Sequence, residues 1–242
     1  MKTAVVFKWT RDPQDARVSS DGELSWPNVK FSPTDDDPAA MDVARALSDE
    51  EDIVGITIGD GKPEWAAARG ASSTMIVEDC FGGSDGFAAA SSLSAAIVAS
   101  GADVATIGDS EWDRGVVSAL AGELGWNAYA GVIAAEPDGD GVKLTIKSTE
   151  GNVLIRATTP LLLACQATAQ EKNVPGMKQI LAARKKPVEK TSISQLGAAV
   201  EGRSSSLGTC LPEGNRAILF DGSDPDTAVS QLLDALRGEG IL

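Results

Sequence analysis

A chain of 242 residues holds one large domain, or one domain with an appendage, at roughly 100–200 residues per domain. With 43% hydrophobic and 23% charged residues it reads as a soluble globular protein rather than a disordered one, and a net charge of −14 excludes general nucleic-acid binding, which needs a basic face to neutralise phosphate. The absence of histidine excludes Ser-His-Asp and Cys-His catalysis, and the wide spacing of Cys80, Cys165 and Cys210 argues against a disulfide framework or a zinc site.

No apolar run approaches a membrane span, and the opening "MKTAVVFKWTRDP" has too short an apolar stretch for a secretory signal, which points to the cytoplasm. A chain so poor in catalytic groups is expected to bind something reactive rather than to transform a substrate itself.

In chain order, "TAVVF" (3–7), "IVGITI" (53–58), "TMIV" (74–77) and "DVATI" (103–107) are short apolar runs bounded by Gly or Asp. Between them "PAAMDVARALSDE", "PEWAAARGA" and "DGFAAASSLSAAIVAS" carry apolar positions at helical spacing behind a proline or capping start, and a further helix is predicted from Arg114 or Gly115. Four alternations of strand and helix predict a doubly wound α/β fold with a parallel sheet, whose ligands sit beyond the carboxyl ends of the strands. Residues 129–159 break the pattern: alternating segments around "EPDGDG" and "STEGN" predict an antiparallel hairpin or meander inserted into the α/β unit. "PLLLACQAT" then reads as another buried strand. The segment "VPGMKQILAARKKPVEK" concentrates Lys178, Arg184, Lys185, Lys186 and Lys190 behind a Pro-Gly turn. A Ser- and Gly-rich connection follows, and the chain ends in an amphipathic helix begun at Asp-Pro and closed at Gly238. The division expected is a domain over 1–190 and an extended arm over 191–242.

The loops after the predicted strands are polar: "KWTRDPQDARV", "GDGKPE" and "GDSEWDRGVVSALAGELG". The last runs from Gly108 into a helix N-terminus, where unpaired amides and a partial positive charge suit a phosphate. Without a GxGxxG or GxxxxGK[ST] signature, these residues alone are read more readily as ordinary loop chemistry. Likewise Lys8 is read as a solvated lysine, Asp35 to Asp37 as a helix start, and Trp9, Trp65 and Trp112 as packing residues before adenine platforms.

Taken in order, "MKTAVVFKWTRDPQDARV" with "DGEL", "DPAAMDVARAL", "GDSEWDRGVVSALAGELG", "TTPLLLACQA" and "VPGMKQILAARKKPVEKTSISQLG" resemble the beta subunit of electron-transfer flavoproteins, nearest the nitrogen-fixation and carnitine-type branch. The resemblance runs from Met1 to about Gly197, with a weaker echo in the terminal helix. It implies a Rossmann-like fold of the adenine nucleotide alpha hydrolase type, an alpha-subunit partner and a redox partner dehydrogenase. It further implies an FAD shared with the alpha subunit, AMP or a second FAD in the beta subunit, and an electron carrier rather than an enzyme. By position it places the nucleotide among Val6, Lys8, Thr34, Asp35, Asp36, Asp37, Ile58 and Gly59. Gly108, Asp109, Ser110, Asp113, Arg114, Gly115, Val116, Val117 and Ser118 would hold phosphate and ribose. Partner recognition falls to Met177, Ile180, Leu181, Arg184, Lys185 and Lys186, and no metal is implied.

The chain departs from the family at two of these places. "TDDD" stands where many members have an Asn-Pro-Phe-Asp-like turn, and "DRGVVS" where they have a Thr-Gly-Gln-like loop, which leaves phosphate mainly to backbone amides and Arg114. Two other readings stay open: a stand-alone adenine-nucleotide sensor of the universal-stress type, which the arm and the basic segment argue against, and a scaffold subunit without nucleotide.

Overall fold

A computed structural model describes residues 1–79, 85–110, 114–168, 174–200, 202–211 and 218–242. Its centre is a nine-stranded sheet. In chain order the elements are β1 (Thr3–Val6), β2 (Arg17–Val18), β3 (Leu24–Ser25), α1 (Asp37–Leu47), β4 (Ile53–Ile58), α2 (Pro63–Arg69), β5 (Ser73–Val77), α3 (Gly86–Ser100), β6 (Val104–Gly108) and α4 (Arg114–Leu124). They continue with β7 (Asn127–Asp138), β8 (Gly141–Ser148), β9 (Gly151–Ala157), β10 (Leu161–Cys165), α5 (Met177–Ala183), β11 (Val188–Thr191) and α6 (Pro225–Gly238). The sheet order is β11-β5-β4-β1-β6-β10-β7-β8-β9, and β2 pairs with β3 in a separate two-stranded ladder. From β11 to β7 the neighbours are parallel; β8 and β9 add an antiparallel edge.

Strands buried on both faces explain the continuous apolar runs. Along β1, Val5 and Phe7 join the core beneath α1 and α2, whereas Ala4 and Val6 join the core beneath α3 and α4. The alternation repeats in β10, where Leu161 and Leu163 face one way and Leu162 and Ala164 the other. Helix α1 buries Ala40, Met41, Val43, Ala44 and Leu47, the spacing of one face, and each large side chain removed from water is worth about 1.5–3 kcal/mol. Helix α3 is capped by Asp85, whose carboxylate accepts from the amides of Phe87 and Ala88. The same carboxylate accepts from the amides of Arg203 and Ser204, and the Arg203 guanidinium lies 3.6 Å over the Phe87 ring.

The expected insertion is continuous with the main sheet: β7 is 12 residues long, parallel to β10 in its first half and antiparallel to β8 in its second. The sequence reading assigns no strand to residues 188–191, where β11 lies. Its "VEKT" pairs in parallel with β5 as an edge strand, where one flank lacks a neighbour and a polar sequence is tolerated.

The chain divides into two compact units, Met1–Arg17 with Leu24–Gly208, and Val18–Glu23 with Thr209–Leu242. In the first, residues of the sequence-predicted arm pack on the sheet: Ile193 and Leu196 lie against the α3 and α4 core, and the Ile193 amide donates to Asp79 Oδ1 at 2.8 Å. In the second, α6 has no buried residue, and Val229, Leu232 and Leu233 are exposed on it.

Candidate functional site

The strand order reverses at β1, which has β4 on one side and β6 on the other, so the crevice of a doubly wound sheet opens beyond the carboxyl ends of β1 and β6. Side by side there lie Lys8, the turn Thr34–Asp37 that opens α1, and Gly108 to Ser110. Asp37 is fully buried, and its Oδ2 accepts from the amides of Thr34 at 2.8 Å and Lys8 at 3.1 Å. Asp36 Oδ1 accepts from the amide of Ala167 at 2.7 Å, just past β10. Asp109 Oδ2 accepts from the Gly131 amide at 3.0 Å, while the Asp109 amide donates to Cys165 O at 2.8 Å. Three carboxylates thus tie the connection between β1 and α1 to the loop after β10, and the loop after β6 to β7. The approach leaves no room at Gly108, where a Cβ would lie 2.9 Å from Asp37 Oδ1 and 3.1 Å from the carbonyl carbon of Asp36.

Crowded, dehydrated carboxylates resist ionisation. Burial pushes Asp37 up to about 6, opposed chiefly by the charge of Lys8. Burial also raises Asp36, with Asp109 and Asp35 adding to it. The Cys165 thiol, at the end of β10, is pushed far up by burial and then by Asp109 and Asp36, so it stays an inert thiol.

Of the residues expected to line a nucleotide, Lys8, Thr34, Asp36, Asp37, Gly108, Asp109 and Ser110 are brought together around this crevice. Asp35 sits on the same turn and is exposed. Val6 and Val116 turn their side chains into the core under α3 and α4, with Ile58 and Val117 half-buried against it. Gly59 follows β4 with φ 68° and donates its amide to Val77 O at 2.9 Å. Gly115 and Ser118 are exposed on α4, and among the described residues outside its chain neighbours and its own helix backbone no atom lies within 4 Å of where a Cβ at Gly115 would stand. Asp113 lies outside the described residues, as do Trp112 and the side chain of Arg114. Trp65 packs on Phe7 at 5.0 Å, and Trp9 is half-buried with the Lys62 ammonium 5.4 Å over its ring. Sequence reasoning missed Ala167; its signal was its place just past a buried strand, "LLLAC", that neighbours β6.

The basic segment opens with α5, which stands against α2. Met177 is 71% exposed and Leu181 51%; Ile180, Arg184 and Lys185 are exposed as well. Lys186 turns to its own chain, donating to Glu50 Oε1 at 2.5 Å, Ala67 O at 3.0 Å and Ala71 O at 2.8 Å. Lys190 pairs with Glu78.

Among the described residues no helix is long and apolar enough to cross a membrane. Residues 31–196, more than half of the chain, match the family described as electron transfer flavoprotein domain. The chain is also similar to the protein named electron transfer flavoprotein subunit beta of Syntrophomonas wolfei subsp. wolfei (strain DSM 2245B / Goettingen). The two are 25% identical over 247 residues, which span 98% of this chain and 96% of that protein. The match runs through the doubly wound sheet and the crevice at its point of reversal: the chain belongs to the electron transfer flavoprotein domain family.

Proposed function

We propose that the chain is the beta subunit of a heterodimeric electron-transfer flavoprotein that carries electrons between a dehydrogenase or ferredoxin-like donor and a flavin acceptor. The observation that carries this reading beyond family membership is α6. An apolar stripe at Val229, Leu232 and Leu233 on a helix with no buried residue requires cover, and an alpha subunit is the partner chemistry that a beta subunit supplies it with. The FAD is shared with that subunit, and the flavin supplies the redox chemistry while the polypeptide sets its surroundings. The crevice takes AMP, or the ADP part of a second FAD. The residues fit such a group: Gly115 in the first turn of α4 is exposed, where a helix start has amides for phosphate, and the carboxylates of Asp36 and Asp109 have lone pairs for ribose hydroxyls beyond the one amide each accepts.

Co-expression with an alpha subunit is expected to give a yellow heterodimer on gel filtration, whereas the lone chain carries little flavin. Leu232→Glu with Leu233→Glu should prevent the heterodimer while leaving the fold of the sheet domain intact by circular dichroism. Stoichiometric FAD in the lone chain would overturn the reading. Within the complex, Arg114→Glu puts a negative charge at the start of α4 and should weaken nucleotide binding by at least about 1.5–3 kcal/mol, the worth of a charge-assisted hydrogen bond. Nucleotide released on denaturation and counted by chromatography checks this; unchanged content would place the phosphate elsewhere.

A further inference from the structure

Five cations stand in the segment 174–190, and the structure divides them. An ammonium has three N–H donors, and those of Lys186 are matched by three acceptors, Glu50 Oε1, Ala67 O and Ala71 O. Its charge cannot be offered to another protein without breaking that set. One of the acceptors, Ala67 O, belongs to the last turn of α2, where carbonyls lack helical partners and carry partial negative charge, and another, Ala71 O, lies just past its C-cap Gly70. Gly70, with φ 127°, turns the chain there so that the Ala71 amide closes back on Ala66 O at 3.1 Å and the Ala71 carbonyl swings alongside Ala67 O. Lys186 is therefore the cap of α2, supplied from another element, and its side chain is only 24% exposed.

Helix α5 depends on such an anchor. It has seven residues, too few to be stable alone, and buries only Ala183. Behind it lies a cleft of about 580 Å³ between the ends of α1 and α2, lined by Arg45, Glu50, Arg69, Gln179, Ala182 and Lys186. Close packing does not hold the helix on that side. Its start is closed by the Gly176 amide on Gln179 Oε1 at 2.7 Å; its end is tied down by Lys186 and then by the entry to β11, where Pro187 O accepts from the Thr74 amide at 3.0 Å. Lys190 is matched by Glu78 within the same chain. Lys178, Arg184 and Lys185 remain exposed around Met177, Ile180 and Leu181.

We infer that Lys186 is a positioning residue for partner recognition: it locks α5 to the end of α2 so that a redox partner meets the Met177 face in one orientation, while diffusional attraction is left to Lys178, Arg184 and Lys185. The inference rests on the electron-carrier reading above for its functional half, and on the chain's own geometry for its structural half. A steering charge acts on the salt-dependent association rate, whereas a misplaced docking face lowers affinity at every salt concentration.

The test uses the alpha–beta complex carrying Lys186→Gln, Lys186→Arg, the pair Arg184→Gln and Lys185→Gln, or Met177→Glu. Reduction is followed with a purified acyl-CoA dehydrogenase, with a purified ferredoxin, and with dithionite, which needs no docking. For the protein donor that saturates the wild type, Lys186→Gln should raise KM about tenfold with kcat within twofold, an unaltered salt dependence and normal reduction by dithionite. Lys186→Arg should restore most of the loss. The Arg184 and Lys185 pair should flatten the salt dependence, and Met177→Glu should raise KM without touching it. An unchanged KM in Lys186→Gln, or a flattened salt dependence matching the pair, overturns the division. Amide exchange across 177–185 tests the anchor without any donor: it should rise at least tenfold in Lys186→Gln and not in Lys186→Arg, and unchanged exchange overturns the anchor. A wild-type complex that holds no flavin, or that no protein donor reduces, defeats the electron-carrier reading and with it the functional half, leaving the exchange result to decide the structural half.

Discussion

Gly108→Val is expected to shift the urea midpoint downward with an unchanged slope, by more than the about 1–3 kcal/mol that overpacking a tight site ordinarily costs. The reason is local. A Cβ at this position would meet Asp37 Oδ1 at 2.9 Å, and the carbonyl carbon and Cβ of Asp36 at 3.1 Å, and two of these atoms belong to or adjoin backbone that starts α1. Neither side can yield cheaply, because Asp36 is held by the Ala167 amide and Asp37 by those of Lys8 and Thr34. Valine adds two methyl groups to that overlap and would force the end of β6 away from the turn before α1. Nucleotide content of the complex should fall with stability, since the same displacement opens the crevice. Gly108→Ala should lie between valine and wild type. An unchanged midpoint in both variants would mean that α1 and β6 separate freely, and that the crevice is not built on their contact.

The second large effect is on the pH dependence of stability, and its sign follows from Asp37. Burial raises its pKa from 3.8 to about 6, so between those values the folded chain binds more protons than the unfolded chain and stability falls as pH rises. The full loss, reached above about pH 6, is about 3 kcal/mol at 1.36 kcal/mol per pKa unit. Asp36, also raised, acts in the same direction, and Lys8 reduces both effects. Asp37→Asn should remove most of the slope between pH 4 and 6 and match or exceed the wild type at pH 8, because an amide oxygen can still accept from Thr34 and Lys8. Asp37→Ala cannot, and each buried amide left unmatched costs about 1–3 kcal/mol. Urea unfolding of the three proteins from pH 4 to 8 separates these outcomes. A wild-type profile that is flat or rises over that range would show that Asp37 is not held in a dehydrated site.

The central strands were legible because burial on both faces writes itself as continuous apolar sequence; "IVGITI" matches β4 residue for residue. Helix starts were legible from Pro38, Pro63, Asp85 and Pro225, which sit where a first turn tolerates or needs them. The polar strand β11 was not, since an edge strand has no apolar pattern to show. The triple aspartate reads as a helix start, and α1 does start at Asp37, yet its side chains serve distant loops: Asp36 reaches an amide 131 residues away. The same distance in sequence hid the fate of Lys186 and Lys190, whose acceptors Glu50 and Glu78 lie 136 and 112 residues earlier. Charge runs reveal composition, but only the fold reveals which charges have been neutralised.

The hydrogen bonds at Asp85 join two segments far apart in the sequence. Its carboxyl is held below its ordinary value by four amides, first among them that of Ser204, so it is a fixed negative peg throughout the neutral range. Both oxygens of this one side chain are engaged, Oδ1 by the first turn of α3 and Oδ2 by the amides of Arg203 and Ser204. Asp85→Ala therefore loosens two places at once, the start of α3 and the chain at 203–204, and amide exchange should rise at both.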